Sequence, residues 1–284
     1  MAGGVLVGLA QIEPRLGLSE RNLDACLGRL EEAAAAGCDL VVLPECAVSG
    51  YMFATEDEAA RAAEEIPGPG VEAFERACSR LGVHCVAGLL ERDGDLLRNT
   101  AVLVGPEGLV GRYRKTHLPH LGVDRFVTPG DGPYEPFDTP LGSIGIAICY
   151  ELRFPEIARS YALAGADLLA HPTNWPSAVP SVGEFVTLTR AFENRVFLLT
   201  ADRVGREGWA EYGGWSQIVH PLGRRLARAE EGKESLVTAE IDVREARVKD
   251  LVPRPGEYEV RLFDDRRAEL YGALVEHRDT AIVV

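Results

Sequence analysis

The sequence predicts an α/β fold with mixed sheets, on three observations. Short apolar runs alternate with segments of helical period along most of the chain. Two stretches, 83–104 and 216–241, are hairpin-like and add antiparallel strands to a parallel layout. No linker, low-complexity tract or internal repeat interrupts the pattern, so residues 1–284 are expected to form a single domain.

The elements follow in order. Residues 5–11 are the first apolar strand. Over 20–36, Leu23, Cys26, Leu27, Leu30, Ala33 and Ala34 recur at helical spacing with charges between them, which predicts an amphipathic helix. Ser19 suits its start and Gly37 its stop. Further strands are expected at 40–43, 83–90, 100–104, 143–148, 167–171, 196–201, 216–220 and 235–241. Further helices are expected at 71–81, 154–164 and 183–194, with Gly165 ending the second of these. The Pro- and Gly-rich loop over 117–140 is long for a compact domain, a length often tied to function. The chain closes on the charged turn Asp264-Asp265-Arg266-Arg267 and on apolar Ala281-Ile282-Val283-Val284, a tail that needs a surface such as a partner subunit.

Composition narrows the function classes. The chain is 46% hydrophobic and 26% charged, ordinary for a globular protein, and its formal net charge of −14 argues against a nucleic-acid partner. No apolar run approaches the roughly 20 residues of a membrane span, so no membrane partner is expected. The first residues lack the Lys/Arg-rich start of a secretory leader, and a cytoplasmic location is expected. The six cysteines, Cys26, Cys38, Cys46, Cys78, Cys85 and Cys149, form no CxxC pair, so neither a metal site nor a redox motif has support. Five of them read as small buried hydrophobes.

Three segments share one design, an apolar strand with a reactive side chain at its C-terminal end, where ligands bind in open α/β sheets. The first ends on Glu45 and the third on Cys149; between them Lys115 sits in GRYRKTHLP. Each has a bland alternative: a solvated loop acid, a surface cation, a buried structural thiol. His117 and His120 form an HxxH pair without a third ligand, and a structural loop is the better account. Cys149 ends a strand, and Pro155 suits the first position of a helix. Such a turn lifts a thiol above the sheet and aims backbone N–H groups at the same space, which would leave the thiol partly exposed and activatable. Together the three supply a nucleophile, a base and an electrophilic stabiliser for amide hydrolysis.

LPECAVSGY (residues 43–51), GRYRKTHLP (111–119) and ICYELRFPE (148–156) resemble, in order and separation, the three catalytic blocks of the nitrilase superfamily of carbon–nitrogen hydrolases. HPTNWP (171–176), RAFENRVFLLTADRVG (190–205), GGWSQIVHPLG (213–223) and DDRRAELY (264–271) extend the resemblance over essentially the whole chain. The resemblance implies a four-layer α–β–β–α sandwich and a homodimer or larger assembly. It also implies a Glu45–Lys115–Cys149 triad acting on a small amide or nitrile without metal or organic cofactor. Glu45 would take the thiol proton, and Lys115 with the Tyr150 N–H would stabilise the oxyanion.

Two departures stand out. Many relatives carry a second glutamate after the lysine, whereas the loop here offers Asp124. Either it substitutes with shorter reach or it forms a salt bridge with Arg125. Asp202 stands before Arg203, where the resemblance leads one to expect Asn. The Cys-Tyr-Glu sequence of the third block is more amidase-like than nitrilase-like. Trp175 is a candidate pocket wall, with core packing as the alternative, and Tyr51 and Tyr150 are candidates to join it. Nitrile or N-carbamoyl hydrolysis, a non-catalytic binding protein on the same fold, and a thiol redox protein using Cys46 with Cys149 are the alternatives.

Overall fold

The structure, a computed structural model, describes residues 4–276. They fall into two compact units that divide after Arg247. The first unit carries two six-stranded sheets.

The first sheet runs in the order β14 (Ser235–Ile241), β1 (Val5–Gln11), β2 (Leu40–Val42), β3 (His84–Asp93), β4 (Leu96–Gly105) and β5 (Gly108–Arg114). Its centre, β1-β2-β3, is parallel, and antiparallel strands flank it on both sides. The second sheet runs β13 (Arg225–Arg228), β12 (Gln217–Val219), β9 (Phe197–Asp202), β8 (Leu168–Thr173), β7 (Gly142–Ile146) and β6 (Phe137–Thr139), again with a parallel centre, β7-β8-β9. Both sheets are therefore mixed, as predicted. Their parallel strands read as continuous apolar runs because both faces are buried.

The sheets meet where β1, β2 and β3 touch β8 and β9. Helices α1 (Ser19–Ala35) and α3 (Pro69–Leu81) cover the outer face of the first sheet, where Cys26, Leu30, Phe74 and Cys78 pack with Val41, Cys85, Ala87 and Val102. Helix α5 (Thr187–Asn194) touches β9 and β12 of the second sheet, and α4 (Pro155–Leu163) lies against α5. This is the expected α–β–β–α sandwich. The punctuation read from sequence operates as expected: Pro155 opens α4, while Gly37 (φ 87°) and Gly165 (φ 94°) take the left-handed conformation past α1 and α4.

Several elements escape the sequence pattern. Strand β5 is missed because Gly-Leu-Val-Gly-Arg-Tyr-Arg puts arginines where apolar residues were sought. The short helix α2 (Glu56–Ala62) lacks a long apolar stripe and is started by Thr55, whose hydroxyl accepts the Glu58 N–H at 3.2 Å. The hairpin β10 (Val204–Glu207) and β11 (Ala210–Gly213) is too short and polar to show period two. The expected helix at 183–194 begins with a wide turn over Val182–Val186 and becomes α-helical only at Thr187.

After the one-turn helix α6 (Arg244–Arg247), the second unit contains the hairpin β15 (Asp250–Arg254) and β16 (Tyr258–Arg261), where Arg261 pairs with Asp250 at 3.0 Å. The apolar tail Ala281–Val284, read above as needing a surface, lies outside the described residues. Among the described residues no helix is long and apolar enough to cross a membrane.

Candidate active site

Strand β2 delivers Glu45 three residues past its end. The backbone there passes so close to β3 that a Cβ on Gly88 would lie 2.6 Å from the Pro44 carbonyl oxygen and 2.7 Å from the Glu45 Cα, so glycine is required. Strand β5 delivers Lys115, whose N–H continues the ladder by donating to the Asn99 carbonyl of β4 at 2.8 Å. Alternation along β5 sends Arg112 and Arg114 to one face and Lys115 to the other. Strand β7 leads to Cys149, which has φ 50° and opens a 3-10 turn over Cys149–Arg153 before α4. A left-handed non-glycine residue is strained, and such strain gathers at functional turns.

Glu151 holds this turn against the lysine segment. It is fully buried; its Oε2 accepts the Ile148 N–H at 2.7 Å, and its Oε1 accepts the Thr116 N–H at 2.8 Å and the Tyr113 hydroxyl at 2.6 Å. One carboxylate thus ties the Cys149 turn to the loop after β5.

The ionic centre is dry. Lys115 Nζ donates to Glu45 Oε1 at 2.7 Å and to Asp124 Oδ2 at 2.5 Å, with all three side chains fully shielded from solvent. Asn99 Nδ2 donates to Glu45 Oε1 and to Asp124 Oδ1, both at 2.8 Å, and the Asn99 Oδ1 takes the Cys46 thiol at 3.7 Å. Tyr51 donates its hydroxyl to Asp124 Oδ2 at 2.8 Å, and its ring centroid lies 5.8 Å from Lys115 Nζ. Burial works against the Lys115 ammonium, but the Asp124 and Glu45 carboxylates outweigh it and hold the amine charged. Burial raises the Glu45 pKa and the Asp124 charge adds to the rise, while Lys115 and Asn99 restrain it. Glu45 is therefore a stronger proton acceptor than a solvated carboxylate. Its Oε1 is occupied, and its buried Oε2 has no protein hydrogen-bond partner.

Cys149 is only 8% exposed. Burial pushes its thiol well above the ordinary range, the Glu45 charge pushes further, and Lys115 and the Asn174 backbone oppose. This corrects the expectation of a partly exposed, readily activated thiol. The resting group is neutral, and a base must take its proton. The Thr173 hydroxyl also favours the thiolate from nearby, although it makes no hydrogen bond of normal geometry. His171, its pKa lowered to about 3 by burial, is a neutral ring whose Nε2 lies 3.1 Å from the Cys149 carbonyl oxygen. A carbonyl can only accept, so Nε2 carries the proton and steadies the turn.

A carbon-nitrogen hydrolase family model matches residues 6–249. A protein described as a nitrilase, from Pyrococcus abyssi, is 39% identical over 94% of this chain and 99% of its own length. An omega-amidase from Xenopus laevis is 35% identical over 88% of this chain and 91% of its own. The crystal structure of a carbon-nitrogen hydrolase from Helicobacter pylori superposes with a TM-score of 0.85 at 27% identity, covering 97% of this chain and 99% of that one.

The chain belongs to the carbon–nitrogen hydrolase family. In this hydrolase the sequence-predicted residues meet in part. Glu45, Lys115 and Asp124 form one bonded cluster, and Cys149 faces Glu45 and Lys115 electrostatically. Asp124 pairs with Lys115; Arg125 instead donates to the Gly122 and Phe53 carbonyls, so the salt bridge weighed for it with Arg125 is absent. Tyr51 reaches Asp124. Tyr150 is half-buried, its ring 5.1 Å from that of Phe154, and its N–H lies in a first turn, where helical geometry leaves such groups unpaired. Trp175 is buried with its ring 5.0 Å from that of His171, and its N–H donates to Asp202. Asp202, set apart as a departure, also accepts the Arg203 and Trp215 N–H groups and so organises three backbone segments.

Sequence reasoning missed Asn99, an amide inside a strand with no neighbouring motif. It passed over Glu207, whose Oε2 accepts the Tyr51 and Met52 N–H groups while the carboxylate pairs with Arg203 at 2.6 Å. It also missed Tyr212, buried within electrostatic reach of Glu45 and Cys149. For Glu207 and Tyr212 the only signal was proximity to motif residues along the chain; Asn99 had none.

Proposed function

We propose that this hydrolase cleaves a small amide through a thioester on Cys149, with Glu45 as general base and Lys115 as the oxyanion's cationic partner. The free Oε2 of a Glu45 whose other oxygen is locked by Lys115 and Asn99 carries this reading. Oε2 takes the thiol proton as sulfur bonds to the amide carbon and the carbonyl π pair moves to oxygen. The Glu45–Asp124–Lys115–Cys149 group thereby loses its net negative charge, which passes from Glu45 to the substrate oxygen, and the total over protein and substrate is unchanged. Lys115 and the Tyr150 N–H meet that charge. On collapse the C–N bond breaks and the nitrogen takes the proton back from Glu45. Water then gives a proton to Glu45 and bonds to the carbonyl carbon; the C–S bond breaks and the sulfur recovers its proton.

Nitrile hydrolysis is the second reading, favoured by the Pyrococcus relative's description; the omega-amidase and the Cys-Tyr-Glu block favour amides. A panel of matched amides, nitriles and N-carbamoyl amines, assayed for ammonia, separates them. Amides are expected to turn over faster than their nitriles, and the reverse order would transfer the assignment. Assembly as a homodimer or larger fits the exposed Phe185, Phe192 and Leu222, and sedimentation at several concentrations tests it.

A further inference from the structure

Three residues beside the thiol bear polar atoms that nothing in the protein satisfies. Asn174 is 1% exposed, yet neither its Nδ2 nor its Oδ1 has a partner; the Thr173 Oγ1 and the Tyr212 hydroxyl, 2% exposed, are in the same position. Buried polar groups left unpaired are unfavourable and uncommon in native structures, so a cluster of them calls for a ligand. They share one place. Thr173 and the Asn174 backbone act on the Cys149 sulfur, and Tyr212 feels both Cys149 and Glu45. An isolated β-bridge between Pro176 and Tyr212 lays β11 beside the segment that carries Asn174.

The hairpin that carries Tyr212 is anchored. Glu207, at the end of β10, accepts the Tyr51 and Met52 N–H groups and pairs with buried Arg203, which donates to the Pro14 carbonyl at 2.8 Å. The Arg203 guanidinium lies 4.4 Å from the Tyr212 ring centroid. These contacts set the ring and leave only its hydroxyl uncommitted.

We infer that Asn174 and Tyr212 form a recognition subsite for a neutral polar group on the acyl part of the substrate, a second carboxamide or a ureido group. The inference rests on the amidase reading above. Asn174 offers both a donor and an acceptor, and Tyr212 a hydroxyl that does either, which matches a group with N–H and C=O side by side. A carboxylate has no N–H for the Asn174 oxygen, and the nearby Glu45–Lys115–Asp124 group is net negative. An alkyl chain would leave every one of these atoms unpaired, the situation in which binding sites discriminate most strongly.

The test compares dicarboxamides of three to five carbons with alkyl amides and ω-carboxylate monoamides of equal length, by kcat/KM for ammonia release. At the best length the dicarboxamide is expected to exceed the alkyl amide by at least roughly a hundredfold. That ratio should collapse in Asn174→Leu and in Tyr212→Phe, with melting temperatures showing that both variants fold. Equal rates for alkyl amides, or a ratio unchanged in both variants, would overturn the subsite. A preference for carboxylates that disappears in Arg153→Gln would also overturn it and move recognition to the exposed Arg153 guanidinium, which lies 5.9 Å from the Tyr150 ring centroid. Calorimetry with Cys149→Ala keeps the two proposals apart. If no amide is hydrolysed by the wild type, the amidase reading fails, while tighter binding of dicarboxamide than of alkyl amide still supports the subsite and equal binding rejects it.

Discussion

Two buried glutamates, Glu45 beyond β2 and Glu91 on β3, each meet cations delivered by the same stretch of chain. Glu91 receives Arg112 at 2.9 Å and Arg114 at 2.5 Å on Oε1, and Arg114 Nε at 2.9 Å and the Thr100 hydroxyl at 2.7 Å on Oε2. Both of its oxygens are engaged, and the planar guanidinium forks suit that task. Glu45 meets Lys115, a compact point charge, and keeps one oxygen free. Residues 112, 114 and 115 separate the two by strand alternation alone. On the proposed mechanism one strand serves stability on one face and chemistry on the other: a buried carboxylate with every lone pair engaged is structural, and one left incomplete is available to a reactant.

The sharpest way to break the contrast is Glu45→Gln. The amide retains an acceptor for Lys115 but cannot take a proton. Turnover should fall roughly a thousandfold, within the range for a lost general base, with the melting temperature little changed. Steady-state kinetics within tenfold of wild type would make Glu45 merely structural. Next is Lys115→Arg, expected to lower kcat by at least about a hundredfold because a planar fork cannot replace the ammonium between two carboxylates. A rate near wild type would show that any cation suffices.

Smaller effects sharpen the account. Asp124→Asn removes a charge that opposes ionisation of Glu45, so the acid limb of kcat/KM should move to lower pH. The kcat should also fall, by roughly tenfold, as Lys115 loses its anchor. Asn99→Leu removes a hydrogen bond that favours the Glu45 carboxylate, so its acid limb should move the other way, to higher pH. Both limbs shifting alike would contradict the bonding assigned to Asn99. Last is Glu91→Gln, which should leave kcat nearly unchanged while lowering unfolding stability by about 3 kcal/mol, the lower end for breaking a buried pair, since Arg112 and Arg114 keep some contact with water. Loss of activity at unchanged stability would erase the distinction between the two glutamates.

What was legible followed strong local signals. β1 and β14 were read end for end because both are continuous apolar or alternating runs bounded by turn residues. The motifs at Glu45 and Cys149 were visible because each joins an apolar strand to a reactive residue, whereas β5 is too polar to be read as a strand and Lys115 was legible through the resemblance of GRYRKTHLP. Asp124 was named only as a residue of open role, since nothing along the chain says that a 3-10 turn over Gly122–Arg125 will carry its carboxylate to Lys115. Asn99 and Glu151 act across 54 and 35 residues of chain, on Glu45 and Thr116. Such contacts leave no periodic trace. The hairpin with Glu207 and Tyr212 was illegible for another reason: its strands are four residues each, and their anchoring is ionic.

The account turns on covalent chemistry at Cys149, and intact-protein and peptide mass spectrometry after rapid quenching with a turned-over amide tests it most directly. The expected result is an acyl mass increment on the Cys149 peptide, labile to hydroxylamine as a thioester and absent from Cys149→Ala, whose turnover is also lost. Full turnover by Cys149→Ala, or a substrate-derived acyl group on another of the six cysteines, would contradict it.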